Sequence, residues 1–364
     1  MRTNETVIVP ADIVDSRLTN QKLVEGKCKT PKDIVSHMGA MQAQDYAMAK
    51  WAIGVRLPGS TDAQVEKAID DGDIIRTHIL RPTWHLVAAD DLRWIMELTA
   101  PHVNRIAGTL YRQLGLDEAL LARTNRFITR LLEGGNYLTR EEIASALDQE
   151  GIITNELRAY HILFRAELDM IVCSGPRRGK QFTYALFEER VPAGKPHSRE
   201  EALARLTQKY FTSHGPATVH DFAWWSGLTI TEIRQGLELV KPALSCRKLG
   251  AKTYWFDPGQ IENVPLENTV HLLPAFDEFM VGYTDRSLCL DPGLARETIL
   301  SNGIFKPVLV VNGKVVGIWK RTLKKNAVHI QLYFPDQTAE PDRNLFIPGI
   351  EQFGKFLHLE AVIV

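Results

Sequence analysis

Apolar positions in this chain recur first at helical spacing and then in strand-like alternation, and the switch repeats. Residues 11–25 place Ile13, Val14, Leu18 and Leu23 along one expected helix. Thr30-Pro31-Lys32-Asp33 has the composition of a helix start, with Thr30 as N-cap and Pro31 at the first helical position. Ile34, Val35 and Met38 then line one side, and Gly39 weakens the end. A further helix is expected over 47–57, closed by Pro58-Gly59, and another from Ser60-Thr61-Asp62. After Asp71-Gly72-Asp73 the pattern alternates, giving strands over 74–80 and 83–87 around Arg81-Pro82. Helices followed by a two-stranded ribbon form the outline of a winged helix-turn-helix.

That outline returns twice. Residues 90–133 are expected as helical connectors, with Pro101 beginning a new helix and Asp117 another. Thr139-Arg140-Glu141-Glu142 fits a capping box, a second helix begins near Asn155, and strands are expected over 170–173 and 181–186. Ser198-Arg199-Glu200-Glu201, Thr218 and Thr229 then start three helices, followed by strands over 245–249 and 252–256 that turn at Gly250. The last third is mostly strand, expected over 270–273, 279–283, 308–311, 315–319, 328–334 and 355–364, with a short helix near Pro348. Asn312-Gly313 between alternating runs favours a type I′ hairpin. The fold class expected is α+β: three tandem winged helix-turn-helix motifs and a C-terminal β-rich, barrel-like domain. The corresponding segments are 1–89, a helical connector 90–135, then 136–195, 196–264 and 265–364.

Composition changes this picture little. The 364 residues are 45% hydrophobic and 24% charged, with net charge −1, so the chain as a whole is not a basic nucleic-acid binder. Charge placement matters more. Residues 170–187, 239–256 and 298–335 contain no acid, and they carry Arg177, Arg178 and Lys180, then Arg247 and Lys248, then Lys314, Lys320 and Arg321. The first two stretches fall on the expected wings, where cations can meet phosphates. The first ribbon carries Arg76, Arg81 and His85, which are likewise expected to bind DNA. No apolar run is long enough to span a membrane, no apolar signal core opens the chain, and the four cysteines lie scattered. A monomer in a reducing cytoplasm is the expectation, with duplex DNA as partner, no membrane, and no metal or cofactor.

Candidate chemistry is sparse. There is no Walker loop, dinucleotide turn, GxSxG elbow or metal-ligand spacing. Met41-Gln42-Ala43-Gln44-Asp45 lies between two expected helices. Gln42 and Gln44 share a side only if the backbone there is not helical. The plain alternative is a polar linker. Asp277 with Glu278, and Asp285 with Arg286, are expected to hold arginines or orient a loop.

Several stretches together resemble the winged-helix DNA-binding family of AlkZ-like and YcaQ-like DNA glycosylases. They are Met41-Gln42-Ala43-Gln44-Asp45; residues 76–86, including Arg81-Pro82-Thr83-Trp84-His85; Leu273-Pro274-Ala275-Phe276-Asp277-Glu278; Asp285-Arg286; and residues 311–319, including Asn312-Gly313-Lys314. The resemblance implies three winged helices around a positively charged DNA cleft. It also implies that Gln42 and Gln44 cut the N-glycosidic bond of alkylated bases or cross-links. YcaQ-like members have Asp at the second position, so Gln44 sides with AlkZ. An essential β-hairpin is also implied, either the one at Asn312-Gly313 or the wing bearing Arg177 and Arg178. Two other functions stay open: a non-catalytic DNA-binding or regulatory protein, whose glutamines read adenine, and a helical scaffold for proteins.

Overall fold

The computed structural model describes residues 8–24, 26–155, 157–260, 266, 268–335 and 341–364. They form two compact units. One comprises Met1–Glu66, Leu203–Trp225 and Thr229–Val364; the other comprises Lys67–Ala202 and Ser226–Leu228. The expected segment 1–89 contributes to both units, and the expected boundary at 264/265 lies outside the described residues. The fold is α+β, with helices dominating the first two thirds and a curled half-barrel sheet at the end.

Local signals set most helix starts. Thr30 accepts from the Asp33 amide at 3.1 Å and opens Pro31–Met38. Thr139 opens Arg140–Gln149 and Thr229 opens Ile230–Val240, each with a reciprocal capping box. Asp117 caps Glu118–Leu132. Pro101 does not start a helix; it lies inside Ala89–Gln113. An internal proline removes one backbone hydrogen bond. Here the buried face formed by Leu92, Ile95, Met96 and Val103 carries the helix across that loss.

In the second unit Ile74–Ile79 pairs antiparallel with Thr83–Ala88, Arg76 opposite Leu86. A small sheet there has Thr183–Leu186 between Leu138–Thr139 and Val172–Ser174. In the first unit Ser245–Leu249 pairs with Lys252–Phe256. The C-terminal sheet runs in the order Glu360–Ile363, Ala327–Tyr333, Lys314–Leu323, Val308–Val311, Val270–Leu273. Its first pair is parallel and the others are antiparallel. Two strand expectations change. Residues 279–283 contribute a helical turn, Glu278–Val281, because Asp277 accepts from the Phe279 amide at 2.9 Å and caps it. A short, wholly apolar run cannot distinguish the two states. Most of 355–364 is likewise divided between the helix Ile347–Leu357 and a four-residue strand.

The sheet's core couples it to the helix Tyr46–Gly54. The Trp51 indole donates to the Leu272 carbonyl and the Trp319 indole to the Leu273 carbonyl, both at 2.8 Å. Phe353 packs edge-on to both rings, at 4.9 and 5.2 Å.

Asn312 and Gly313 take φ of 47° and 70°, as a type I′ turn requires, and Val311 pairs with Lys314 across them. A Cβ on Gly313 would collide with Val14. Gly313→Ala combines that collision with a positive φ, and it is expected to destabilise the protein by about 2 kcal/mol or more. A urea unfolding midpoint equal to that of the parent chain would show that the hairpin accommodates the methyl group freely.

Candidate functional site

The glutamine pair lies in a non-helical joint. Met41–Gln42 is a two-residue strand, residues 43–45 are irregular, and helix Tyr46–Gly54 follows. Gly39, at φ +80°, ends the preceding helix. Asp45 caps the following one, accepting from the Met48 amide at 3.1 Å. Gln42 is 7% exposed and Gln44 is exposed.

Glu278 holds the joint from behind. It is buried, and its Oε1 accepts from the Gln42 backbone N–H at 2.7 Å. Its Oε2 accepts from the Trp225 indole at 2.9 Å and lies 3.3 Å from His214 Nε2. Burial lowers the His214 pKa, against the opposing pull of Glu278. His214 Nδ1 lies 2.8 Å from the Ser213 hydroxyl, which itself donates to the Lys209 carbonyl at 2.7 Å. Tyr210 stacks on the same ring at 4.8 Å.

Asp277 is fully buried beside it and takes both terminal nitrogens of Arg56, at 2.7 and 2.8 Å. Arg56 also donates to the Gln21 carbonyl at 2.9 Å, the Ala52 carbonyl at 2.9 Å and Gln21 Oε1 at 3.0 Å. Asp277 and its arginine partner stand 221 positions apart in the chain. Phe276, just before the pair, has φ +59°, which a bulky side chain rarely adopts.

The other expected site residues separate into groups. In the first unit Arg321 reaches within 3.9 Å of Asp45, the residue after Gln44. Burial lowers its pKa while Asp45 and Asp62 raise it. Lys320 lies over the Tyr333 ring at 4.9 Å, and Lys314 donates to the Leu288 carbonyl at 2.6 Å. Arg247 and Lys248 stand on the Ser245–Leu249 strand, Arg247 over the Phe256 ring at 5.6 Å. Arg286 donates to the Met280 carbonyl at 2.6 Å. Asp285 pairs with Lys252 and accepts from the Ser287 amide at 3.0 Å. Burial raises the Asp285 pKa, but these donors outweigh it and hold the carboxyl down at about 2.

In the second unit Arg76 is buried, its guanidinium between the Trp84 and Phe182 rings at 4.0 and 4.7 Å. His85 is fully buried, with Nδ1 2.9 Å from the Thr83 carbonyl. Arg81 is half-buried at the turn of its ribbon. Arg178 is tied to Glu142 at 2.7 Å and to the Tyr137 carbonyl at 2.6 Å. The Arg177 amide donates to Asp70 at 2.8 Å, and Lys180 is exposed. Among the described residues no group of three or more His, Cys, Asp or Glu could hold a metal ion, and no helix is long and apolar enough to cross a membrane.

Sequence reading passed over Arg56 and Trp225, whose only signal is burial among residues remote in the chain. The Glu278 contact to Gln42 spans 236 positions, and no spacing rule encodes it.

The fold has counterparts among known proteins. The model of the DNA glycosylase AlkZ-like family matches residues 35–356, and the chain belongs to that family. It is 24% identical over 320 residues to an interstrand DNA cross-link repair glycosylase of Streptomyces sahachiroi, covering 84% of this chain and 85% of that protein. The solved structure of Streptomyces sahachiroi DNA glycosylase AlkZ matches with a TM-score of 0.84 at 20% identity, covering 99% of this chain and all of the other.

Glu278→Ala would leave the Gln42 amide and the Trp225 indole without this acceptor in a buried site. It is expected to cost at least about 3 kcal/mol, read from urea unfolding, and a loss below 1 kcal/mol would contradict the central position assigned to Glu278. Asp285 supplies a pH test. Its folded pKa is depressed to about 2, so its contribution is complete above about pH 4 and is lost as pH falls towards 2. Asp285→Asn should therefore flatten the decline of the unfolding midpoint across that window; an unchanged slope would refute the coupling.

Proposed function

We propose that this chain is a monofunctional DNA glycosylase that hydrolyses the N-glycosidic bond of alkylated purines, with Gln42 and Gln44 orienting the attacking water. Interstrand cross-links, the substrate in the name of the Streptomyces sahachiroi relative, belong to the same substrate class. The observation that carries the reading is the joint itself. An extended backbone allows amides at i and i+2 to serve one site, and Glu278 fixes the main chain at the first of them.

The chemistry suits amides. A glutamine does not titrate near neutral pH, so it is no ordinary general acid or base. It can accept from a water and direct its lone pair, as a glutamine does in small GTPases. An N7- or N3-alkylated purine is cationic. Water adds at C1′, the C1′–N bond breaks, and its electron pair returns to the base, which leaves neutral. The water's proton passes to solvent, and an abasic sugar remains. Positioning of this kind can supply roughly 7–11 kcal/mol. An undamaged base lacks the positive charge and leaves poorly, which gives selectivity. Asp45 is occupied as a helix cap and takes no part.

In this reading three winged helices, 1–89, 136–195 and 196–264, grip duplex DNA. Arg177, Arg178, Lys180, Arg247, Lys248, Lys314, Lys320 and Arg321 meet phosphates, while Arg76, Arg81 and His85 stiffen the first ribbon. Each outline of helices and ribbon described above supports that division. The protein works as a cytoplasmic monomer without cofactor.

Gln42→Ala and Gln44→Ala are each expected to slow release of N7-alkylguanine from duplex DNA at least about 100-fold, while DNA binding stays within a few-fold. An abasic-site assay with a parallel binding titration checks both. Equal base release by parent and double variant would remove the catalytic assignment.

A further inference from the structure

The second unit contains a cavity of about 410 Å³, within the range of small-ligand sites. Glu167 lines it, from the helix Arg158–Leu168, and is 1% exposed. One carboxylate oxygen is fully used: Oε2 accepts from the His78 amide at 3.0 Å, from His78 Nδ1 at 2.6 Å and from the Thr77 hydroxyl at 3.3 Å. The other, Oε1, is buried with no hydrogen-bond partner among the described residues. A buried acceptor left in that state costs stability and calls for an explanation. A ligand donor is one.

The rest of the lining narrows the ligand. The Tyr160 hydroxyl lies 3.0 Å from His78 Nε2. With the His78 Nδ1 proton directed at Glu167, Nε2 takes the Tyr160 proton, and the phenolic oxygen remains an acceptor. Phe182 offers a ring 39% exposed, a flat apolar surface in the lining. Arg140 and Lys180 are exposed cations in the same lining, Arg140 paired at 3.1 Å with Glu141, which also lines it. The cavity thus presents buried acceptors, aromatic faces and positive charge. A planar base with N–H donors on one edge and an anionic tail satisfies all three. Guanine carries adjacent N1–H and N2–H₂ donors. Adenine and cytosine place a ring-nitrogen acceptor beside their amino group, which a carboxylate repels.

We propose that this cavity binds a guanine nucleotide, its N–H edge on Glu167 and its phosphate on Arg140 and Lys180, either as free nucleotide or as an unpaired residue of a DNA strand. The proposal goes beyond the glycosylase reading and does not depend on it. Calorimetric titration of the full chain with GMP, AMP and inorganic phosphate tests it. GMP is expected to saturate one site, at least about tenfold tighter than AMP, with no saturation by phosphate in that range. Glu167→Gln should weaken GMP at least about tenfold and abolish the preference, because the amide nitrogen would then face the base. Since that buried variant can fail to fold, Lys180→Ala and Arg140→Ala provide exposed probes; each should weaken GMP several-fold with an unchanged melting curve. A single-stranded oligothymidylate containing one guanine decides the source. One-for-one competition with GMP assigns the cavity to DNA, and absence of competition assigns it to free nucleotide. No saturable GMP binding, equal affinity for GMP and AMP, or binding indifferent to both exposed substitutions would overturn the proposal.

Discussion

Asp277 and Glu278 are consecutive, fully buried carboxylates, and the first unit is arranged around what they hold. Burying two charges is tolerable only when each is completely partnered. Asp277 is satisfied by Arg56, which in turn fixes the ends of the helices Pro10–Asn20 and Tyr46–Gly54 through Gln21 and Ala52. Glu278 is satisfied by Gln42, Trp225 and His214. Such pairs add little net stability compared with apolar packing, but they are costly to break. Their value is geometric: four segments distant in sequence have one arrangement that leaves no charge alone.

The parts of this fold that a reader of the sequence could find are those whose cause is local. Thr30, Thr139 and Thr229 announce helices because a hydroxyl and an amide three residues on are all a cap needs. Asn312-Gly313 announces its hairpin because few residue pairs tolerate two positive φ values. The hidden parts have remote causes. Pro101 reads as a boundary until the buried face on both sides of it is known. The run Phe279-Met280-Val281 has no period long enough to separate strand from helix. Arg76 and His85 are expected to bind DNA from the first ribbon, yet both side chains are buried. The glutamine joint itself shows only as two amides at the wrong spacing for a helix, and its chemistry came from family resemblance rather than from spacing.

The two units place polar groups for different purposes. Around Gln42 the acidic side chain is turned inward to hold main chain, and the groups proposed to act on substrate are neutral amides. That suits a reaction whose leaving group carries its own positive charge. In the second unit the buried carboxylate has one oxygen committed to structure and one left over. An inventory of conserved-looking charges would treat Glu278 and Glu167 alike; their unshared lone pairs distinguish them.

Gly54 closes the helix that follows the glutamine joint. A Cβ there would stand 2.6 Å from the Phe356 ring and 2.9 Å from Trp51. The glycine and the two rings therefore share one fixed volume. A lineage could enlarge residue 54 only after shrinking residue 356 or 51, and in the opposite order the intermediate would be overpacked. Drift in the C-terminal helix is thus constrained by a helix end some 300 positions earlier, and paired changes at these sites are the trace that such descent would leave.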